Sequence, residues 1–115
     1  PADRLACDVH LHAPEGAVPK DGPSAGVAVL VALVSAFRNV PPAADLAMTG
    51  EMSLAGHVLR VGGVRAKVLA AERAGVKRVI VPADNLPDVP ADAAVSIVPV
   101  RTVEEALVAA FGAAV

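Results

Sequence analysis

The sequence predicts a single small domain that mixes helices and strands, of the α/β or α+β class, in the order β-α-β-β-α-β-β-α. Its length of 115 residues allows one domain and leaves little room for a second. A hydrophobic content of 55% with a net charge of −2 is sufficient to bury a core, which excludes a disordered chain. Short apolar runs alternate with longer helical patterns, and proline and glycine separate them.

The first part of the chain predicts a strand, a loop and a buried helix. Residues 6–13 end in an alternating apolar and polar pattern, which indicates a strand. Three prolines and two glycines within residues 14–23 predict a loop. The stretch Ser24–Phe37 is rich in Ala, Val and Leu and predicts a buried helix, with Ser24 placed to cap its start and Asn39 to end it.

The remainder of the chain predicts four strands and two helices. The strands are the short apolar runs at residues 45–49, 57–61, 76–82 and 95–100. A helix runs from Val64 to Ala74, and Gly75 closes it. The last helix follows a Thr-x-x-Glu capping-box pattern, Thr102 to Glu105, and continues to about Ala113.

Residue usage excludes several classes of function. The sequence pI near 5.9 and the absence of Trp and Tyr leave no basic or stacking surface for nucleic acid. The longest nearly uncharged stretch, Gly22–Phe37, has 16 residues and is too short to span a membrane. Asp3 and Arg4 interrupt any apolar leader at the start of the sequence. The single cysteine, Cys7, excludes an internal disulfide and predicts a reducing, cytoplasmic environment.

A serine at the start of the first predicted helix is a candidate nucleophile. The segment Pro19–Gly26 leads Ser24 onto the first helical turn, between residues too small to cover it. Unpaired N–H groups at a helix start carry partial positive charge and would stabilise an oxyanion that forms beside Ser24 Oγ. The alternative is that Ser24 only caps the helix, and the local sequence leaves both interpretations open.

Lys67 is a candidate base for that serine. It lies four residues into the second predicted helix, among small apolar neighbours. Burial and the positive helix start would both lower the pKa of Lys67, and its neutral amine would then accept the serine proton. The alternative is a surface lysine beside Arg65 and Arg73, and composition does not decide between the two.

The three histidines are candidate metal ligands by residue type. His10 and His12 are two residues apart on the first predicted strand, so both point to its polar face. His57 would have to supply a third ligand, but the spacing matches no known type of metal site. Solvated histidines are the favoured interpretation, and no metal is expected.

Three ordered motifs resemble the Lon protease family, over a range from about Asp8 to the C-terminus. The matching segments are Pro14–Ala17 with Pro19–Gly26 for the nucleophile, Ala47–Gly56 for the Met-Thr-Gly-Glu motif, and Gly62–Lys67 for the Gly-Gly-x-x-x-Lys motif. Ser24 and Lys67 are 43 residues apart, which agrees with the spacing in the family. Arg60 differs from the family pattern, which commonly has proline there.

The resemblance implies a serine endopeptidase with a Ser-Lys catalytic dyad, in which Ser24 is the nucleophile and Lys67 the general base. Thr49 matches a threonine that would orient the lysine amine. The other residues that it implies in supporting roles are His10 and His12 on the strand beside the dyad, and Asp21, which would gate access to the site. These supporting roles, like the dyad, come from the resemblance and not from the spacing alone.

The resemblance also implies the fold and the parent protein. The expected fold is α+β of the ribosomal protein S5 domain 2-like type, with residues 1–115 as the C-terminal part of the proteolytic domain. The family's N-terminal strands and ATPase module are expected outside this chain, because the sequence has no Gly-x-x-x-x-Gly-Lys-Ser/Thr loop. ATP and Mg are therefore expected only in an ATPase module of the parent, and no cofactor in this chain.

The expected partners are polypeptide substrates and further copies of the parent in a closed ring of six, without nucleic acid or membrane. Two other functions were weighed: a domain kept for assembly in a non-proteolytic ATPase, and an ATP-independent Lon-like peptidase. Relatives that serve only assembly lack the lysine, so the presence of both Ser24 and Lys67 favours the protease. A further possibility is that these residues are catalytic only within the complete domain.

Overall fold

A three-stranded parallel sheet organises residues 26–112, the part of the chain that is described in this computed structural model. The strands are β1 (Leu46–Met48), β2 (Glu51–Met52), β3 (Val58–Leu59), β4 (Arg78–Pro82) and β5 (Ser96–Val100). The helices are α1 (Gly26–Arg38), α2 (Val64–Arg73) and α3 (Val103–Phe111), with a 3₁₀ helix at Ala83–Asp88. The larger sheet has the order β1-β4-β5, and β2 and β3 form a separate antiparallel pair.

The central strand β4 divides the apolar core into two layers. Its sequence is continuously apolar from Val79 to Pro82, as is typical of a parallel strand covered on both faces. Because side chains alternate along a strand, Ile80 faces α1 and α3, whereas Val79 and Val81 face α2. α2 buries Val64 and Val68 in that second layer.

The predicted helix ends are confirmed where the structure describes them. α1 ends at Arg38, and Asn39 follows with a left-handed φ of 54°. α2 ends before Gly75, whose φ is 77°. The capping box of α3 is present, because Thr102 Oγ1 accepts from the Glu105 N–H at 3.2 Å and Glu105 Oε1 accepts from the Thr102 N–H at 3.1 Å.

The predicted order needs one correction between β1 and β3. The sequence predicts no strand between the runs at residues 45–49 and 57–61, but Glu51 and Met52 pair with β3 as the short strand β2. The pairing depends on a tight turn at Ser53–Gly56, in which Gly56 has a φ of 86° and donates its N–H to the Ser53 carbonyl. Two residues are too few for an alternating pattern, so the sequence carries no signal for this strand.

The described part of the chain is thus a mixed α and β structure with a small parallel sheet, compatible with the predicted class. The strand predicted at residues 6–13 lies outside the described residues. Over residues 26–112, no helix is long and apolar enough to cross a bilayer.

Candidate active site

Lys67 and Thr49, both predicted from the sequence, lie in contact. Lys67 Nζ donates a hydrogen bond to Thr49 Oγ1 at 3.0 Å. Thr49 follows the last residue of β1, is only 3% exposed, and donates its own N–H to the carbonyl of Ile80 on β4 at 3.0 Å. The carboxyl end of β1 and the first turn of α2 therefore meet at this point.

The helical spacing of α2 explains why Lys67 faces inward. Val64 and Ala71 are both buried, and they lie three residues before and four residues after Lys67, on the same face of the helix. The stem of Lys67 therefore runs along the apolar face of α2, and the side chain is half-buried. Lys67 is thus less exposed than Arg65 and Arg73 of the same helix, which are both exposed.

Burial lowers the pKa of Lys67 below its ordinary value, because the ammonium loses contact with water. The ion pair found among residues 26–112 joins Arg60 and Asp88, so none of the described carboxylates pairs with Lys67 to favour its charged form. A lysine with a lowered pKa has more of its amine in the neutral form, which is the form that accepts a proton.

The start of α1 lies against the residue that follows Thr49. The Val27 N–H donates to the Gly50 carbonyl at 3.0 Å, which ties the first turn of α1 to the end of β1. Gly50 has a φ of 150°, and a Cβ added there would lie 3.0 Å from both Val27 Cγ2 and Val58 Cγ1. A Cβ at position 50 would therefore force Val27 or Val58 to shift, so glycine favours this close approach of α1 to the end of β1.

The structure places only some of the predicted site residues. Ser24, Asp21, His10 and His12 lie outside the described residues, so their roles stay predictions.

His57, the third histidine, is exposed and forms an isolated bridge with Thr102. Within residues 26–112 there is no group of three His, Cys, Asp or Glu side chains that could hold a metal ion.

A buried asparagine near this site was missed by the sequence analysis. Asn85, in the 3₁₀ helix, is fully buried and hydrogen-bonded to the backbone of Val61, three residues before α2 begins. Arg60, where the family commonly has proline, pairs with Asp88 at 3.2 Å. Asn85 lies in a polar segment with proline on both sides, Pro82–Pro87, which from sequence indicates only an exposed turn.

Comparison with known proteins finds matches to one family of proteases over most of the chain. Residues 3–113 match the family described as "Lon protease (S16) C-terminal proteolytic domain". The chain is 54% identical over 113 residues to "Lon protease 1" of Sorangium cellulosum, a match that covers 93% of this chain and 14% of that protein. It is 56% identical over 109 residues to "Lon protease homolog 2, peroxisomal" of Zea mays, covering 90% of this chain and 12% of that protein.

A relative from Methanosarcina barkeri, "Lon protease", is 52% identical over 110 residues, covering 91% of this chain and 14% of that protein. The chain therefore spans between 12% and 14% of the length of these three relatives.

Proposed function

Because the chain belongs to the Lon protease (S16) C-terminal proteolytic domain family, we propose that it supplies the peptide-hydrolysing centre of a serine endopeptidase, with Ser24 as nucleophile and Lys67 as general base. The observation that carries the proposal is the 3.0 Å hydrogen bond between Lys67 Nζ and the buried Thr49 Oγ1. It holds the amine of a lysine whose pKa is lowered by burial.

In the proposed chemistry the Lys67 amine acts in both steps, the formation of the acyl-enzyme and its hydrolysis. Neutral Lys67 takes the proton of the Ser24 hydroxyl as the serine oxygen attacks the substrate carbonyl, and the ammonium then gives that proton to the leaving amine. A water molecule, activated by the same amine, hydrolyses the acyl-enzyme. Thr49 Oγ1 accepts a hydrogen bond from Nζ, and this orients the amine throughout.

The position of α1 supports the assignment of the nucleophile. Ser24 precedes Gly26, the first residue of α1, by two residues in the sequence. The first turn of α1 is tied to Gly50, which is covalently joined to Thr49. We therefore propose the nucleophile from the sequence segment that leads into α1, the helix whose first turn is tied to the end of β1.

The properties of the whole parent belong to the same proposal. We propose unfolded or regulatory polypeptides as substrates, a ring of six copies, and a cytoplasmic location suggested by the single cysteine, Cys7. His10 and His12 are proposed to support the dyad, and Asp21 to gate access to it. The proposed fold is of the ribosomal protein S5 domain 2-like type.

ATP and Mg would bind outside this chain, whose sequence has no Gly-x-x-x-x-Gly-Lys-Ser/Thr phosphate-binding loop. An ATPase module of the parent would couple ATP hydrolysis to unfolding of the substrate. A role in assembly alone is not favoured, because both members of the dyad are present in the sequence.

The test is peptide hydrolysis by variants of the complete protein that contains this chain. Ser24→Ala and Lys67→Arg are expected to abolish hydrolysis, because the first removes the nucleophile and the second cannot deprotonate. Ser96→Ala and Lys77→Arg are matched controls on exposed positions and should hydrolyse like the wild type. A folded Lys67→Arg variant with near-normal activity would refute the assignment of the base.

A further inference from the structure

Two consecutive glycines precede the helix that carries Lys67. A Cβ added at Gly62 or Gly63 would meet no atom within 4 Å, so packing does not hold this part of the backbone. Gly63 has a φ of 74°, a conformation that glycine adopts freely. The apolar contacts of α2 with the sheet are not directional, and they do not by themselves fix where the helix begins. Another interaction must hold the chain just before these glycines.

That interaction is made by a buried side chain. Asn85 is 0% exposed, its Oδ1 accepts from the Val61 N–H at 3.0 Å, and its Nδ2 donates to the Val61 carbonyl at 2.8 Å. The backbone N–H and carbonyl of Val61 are thus both paired with the Asn85 side chain, as they would be with the backbone of a neighbouring strand. Two hydrogen bonds to the same residue fix the orientation of its backbone as well as its distance.

A second contact fixes the orientation of the asparagine itself. Asn85 Nδ2 also donates to Asp88 Oδ2 at 2.9 Å, and the Arg60 guanidinium donates to the same oxygen at 3.2 Å. Because the Asp88 carboxylate only accepts, the amide nitrogen must face it, and Oδ1 must face the Val61 N–H. The Arg60 side chain is 62% exposed, so its ion pair is the outer and weaker part of this arrangement.

The central strand links this arrangement to the catalytic pair. Asn85 lies three residues after the end of β4, and β4 also supplies the Ile80 carbonyl that holds the Thr49 N–H. Thr49, which accepts from the Lys67 amine, is therefore hydrogen-bonded to β4, and Asn85, which holds the residues before α2, follows β4 directly in the chain. A change at Asn85 moves one of them relative to the other.

From this geometry we propose that Asn85 is a positioning residue: by clamping the backbone of Val61 it sets where α2 begins, and so places the Lys67 amine on Thr49. The proposal rests on the proposed function of Lys67 as the general base. It concerns a residue outside the three motifs and one that does not touch the amine.

The test compares Asn85→Ala and Asn85→Asp with the wild type in the complete protein. Aspartate has nearly the same shape and keeps an acceptor for the Val61 N–H, but it places a second oxygen against the Val61 carbonyl and the Asp88 carboxylate. Neither variant can form both hydrogen bonds between side chain 85 and the Val61 backbone. Asn85→Asp is measured in place of Asn85→Ala if Asn85→Ala does not fold. The expected loss in kcat is about 10- to 100-fold, because displacement of a catalytic group by about 1 Å has effects of that size.

A second measurement reports on the Lys67 amine without turnover. Trace acetylation with acetic anhydride modifies only neutral amines, so its pH dependence, followed by mass spectrometry, reports the protonation of each lysine. In the Asn85 variants the Lys67 profile should shift to higher pH, because the amine leaves its half-buried position. The profile of exposed Lys77 is the internal control and should not move.

Charged groups around α2 could also move this profile, and Asn85→Asp adds a further carboxylate, so the profile is interpreted from Asn85→Ala. On α2 itself, and on β4 and the 3₁₀ helix that pack against it, they are Arg65, Glu72, Arg73, Arg78, Asp84 and Asp88, and Glu51 lies two residues after Thr49 in the chain. Asn85→Ala changes none of them, so a shift in that variant reports a change in position.

Two control variants separate positioning from stability. Val100→Ala makes a cavity in the core layer that faces α1 and α3, and should destabilise the protein without shifting the Lys67 profile. Arg60→Met removes only the exposed ion pair and should leave kcat within about twofold of the wild type.

Folded Asn85 variants with an unchanged kcat and an unchanged Lys67 profile would overturn the proposal. If Lys67→Arg retained activity, the proposed function would fail instead, and the acetylation profile would still decide whether Asn85 positions the amine.

Discussion

Replacing Thr49 by valine tests the proposed catalytic pair most directly. Thr49 is only 3% exposed, and valine has nearly the same shape, so Thr49→Val removes the Oγ1 acceptor with little change in packing. The Lys67 amine then loses the partner that lies 3.0 Å away. Thr49→Ser keeps the hydroxyl and is expected to retain most of the activity.

The magnitude follows from the change in charge on the lysine. In the ground state the amine is neutral, and its hydrogen bond to Thr49 is worth about 1 kcal/mol net. Once the amine takes the serine proton, the same hydrogen bond becomes charge-assisted and is worth about 1.5–3 kcal/mol. On the proposed mechanism Thr49 stabilises the transition state by about 0.5–2 kcal/mol more than the ground state, so kcat should fall by about 2- to 30-fold with little change in KM.

The same substitution has a predictable effect on the pH profile. Oγ1 accepts from the amine and so favours its protonated form, which means that its removal should lower the pKa of Lys67 further. The rise of kcat/KM with pH should therefore shift to lower pH in Thr49→Val, while the plateau falls. Steady-state hydrolysis of a fluorogenic peptide by the complete protein, measured across the pH range, gives both quantities.

The matched control is the same substitution at the cap of α3. Thr102→Val removes the acceptor for the Glu105 N–H and should cost about 1 kcal/mol of stability, with an unchanged kcat and pH profile. A Thr49→Val variant with a full plateau and an unshifted profile would refute the idea that Thr49 holds the base.

Three further outcomes are expected. In the wild type, kcat/KM should rise with pH through the lowered pKa of Lys67, and a flat profile would contradict a lysine base. Burial lowers the pKa of Lys67 in the folded state, so between the lowered and the ordinary pKa the unfolded state binds more protons than the folded state. The free energy of unfolding of the wild type, minus that of Lys67→Met, should therefore rise with pH in this range. A difference that does not depend on pH would contradict this. Gly50→Ala should destabilise the protein by about 1–3 kcal/mol in thermal denaturation, because the added Cβ meets Val27 and Val58 at a positive φ. The control Gly62→Ala adds a Cβ that meets no atom within 4 Å. Equal losses of stability in the two variants would contradict the close approach of α1 to Gly50.

Much of the fold was predictable because its signals are local. The end of α2 at Gly75 and the capping box of Thr102 and Glu105 depend on residues within one helical turn, and the sequence contains all of them. The apolar run within residues 76–82 predicted the strand β4 for a similar reason. The two-residue strand β2 was not predictable, because it exists only through its pairing with β3.

The residues of the candidate site were likewise predictable from the sequence, whereas the environment of Lys67 was not. The local sequence made Ser24 a candidate nucleophile and Lys67 a candidate base, and the resemblance favoured these roles and added Thr49. Whether Lys67 lies at the surface or inside was left open by composition, and its half-buried position became evident only when α2 was packed against β4.

The sequence by itself thus determined which residue types are available for acyl transfer, where the helices end and where the longer strands lie. The tertiary structure decided which of these residues meet. It brings Lys67 to Thr49 across 18 positions of chain, and Asn85 to Val61 across 24. The physical reason is that caps and periodicity depend on neighbours within a turn, whereas the pKa of a lysine and the hydrogen-bond partners of a buried asparagine depend on the groups that the fold places around them.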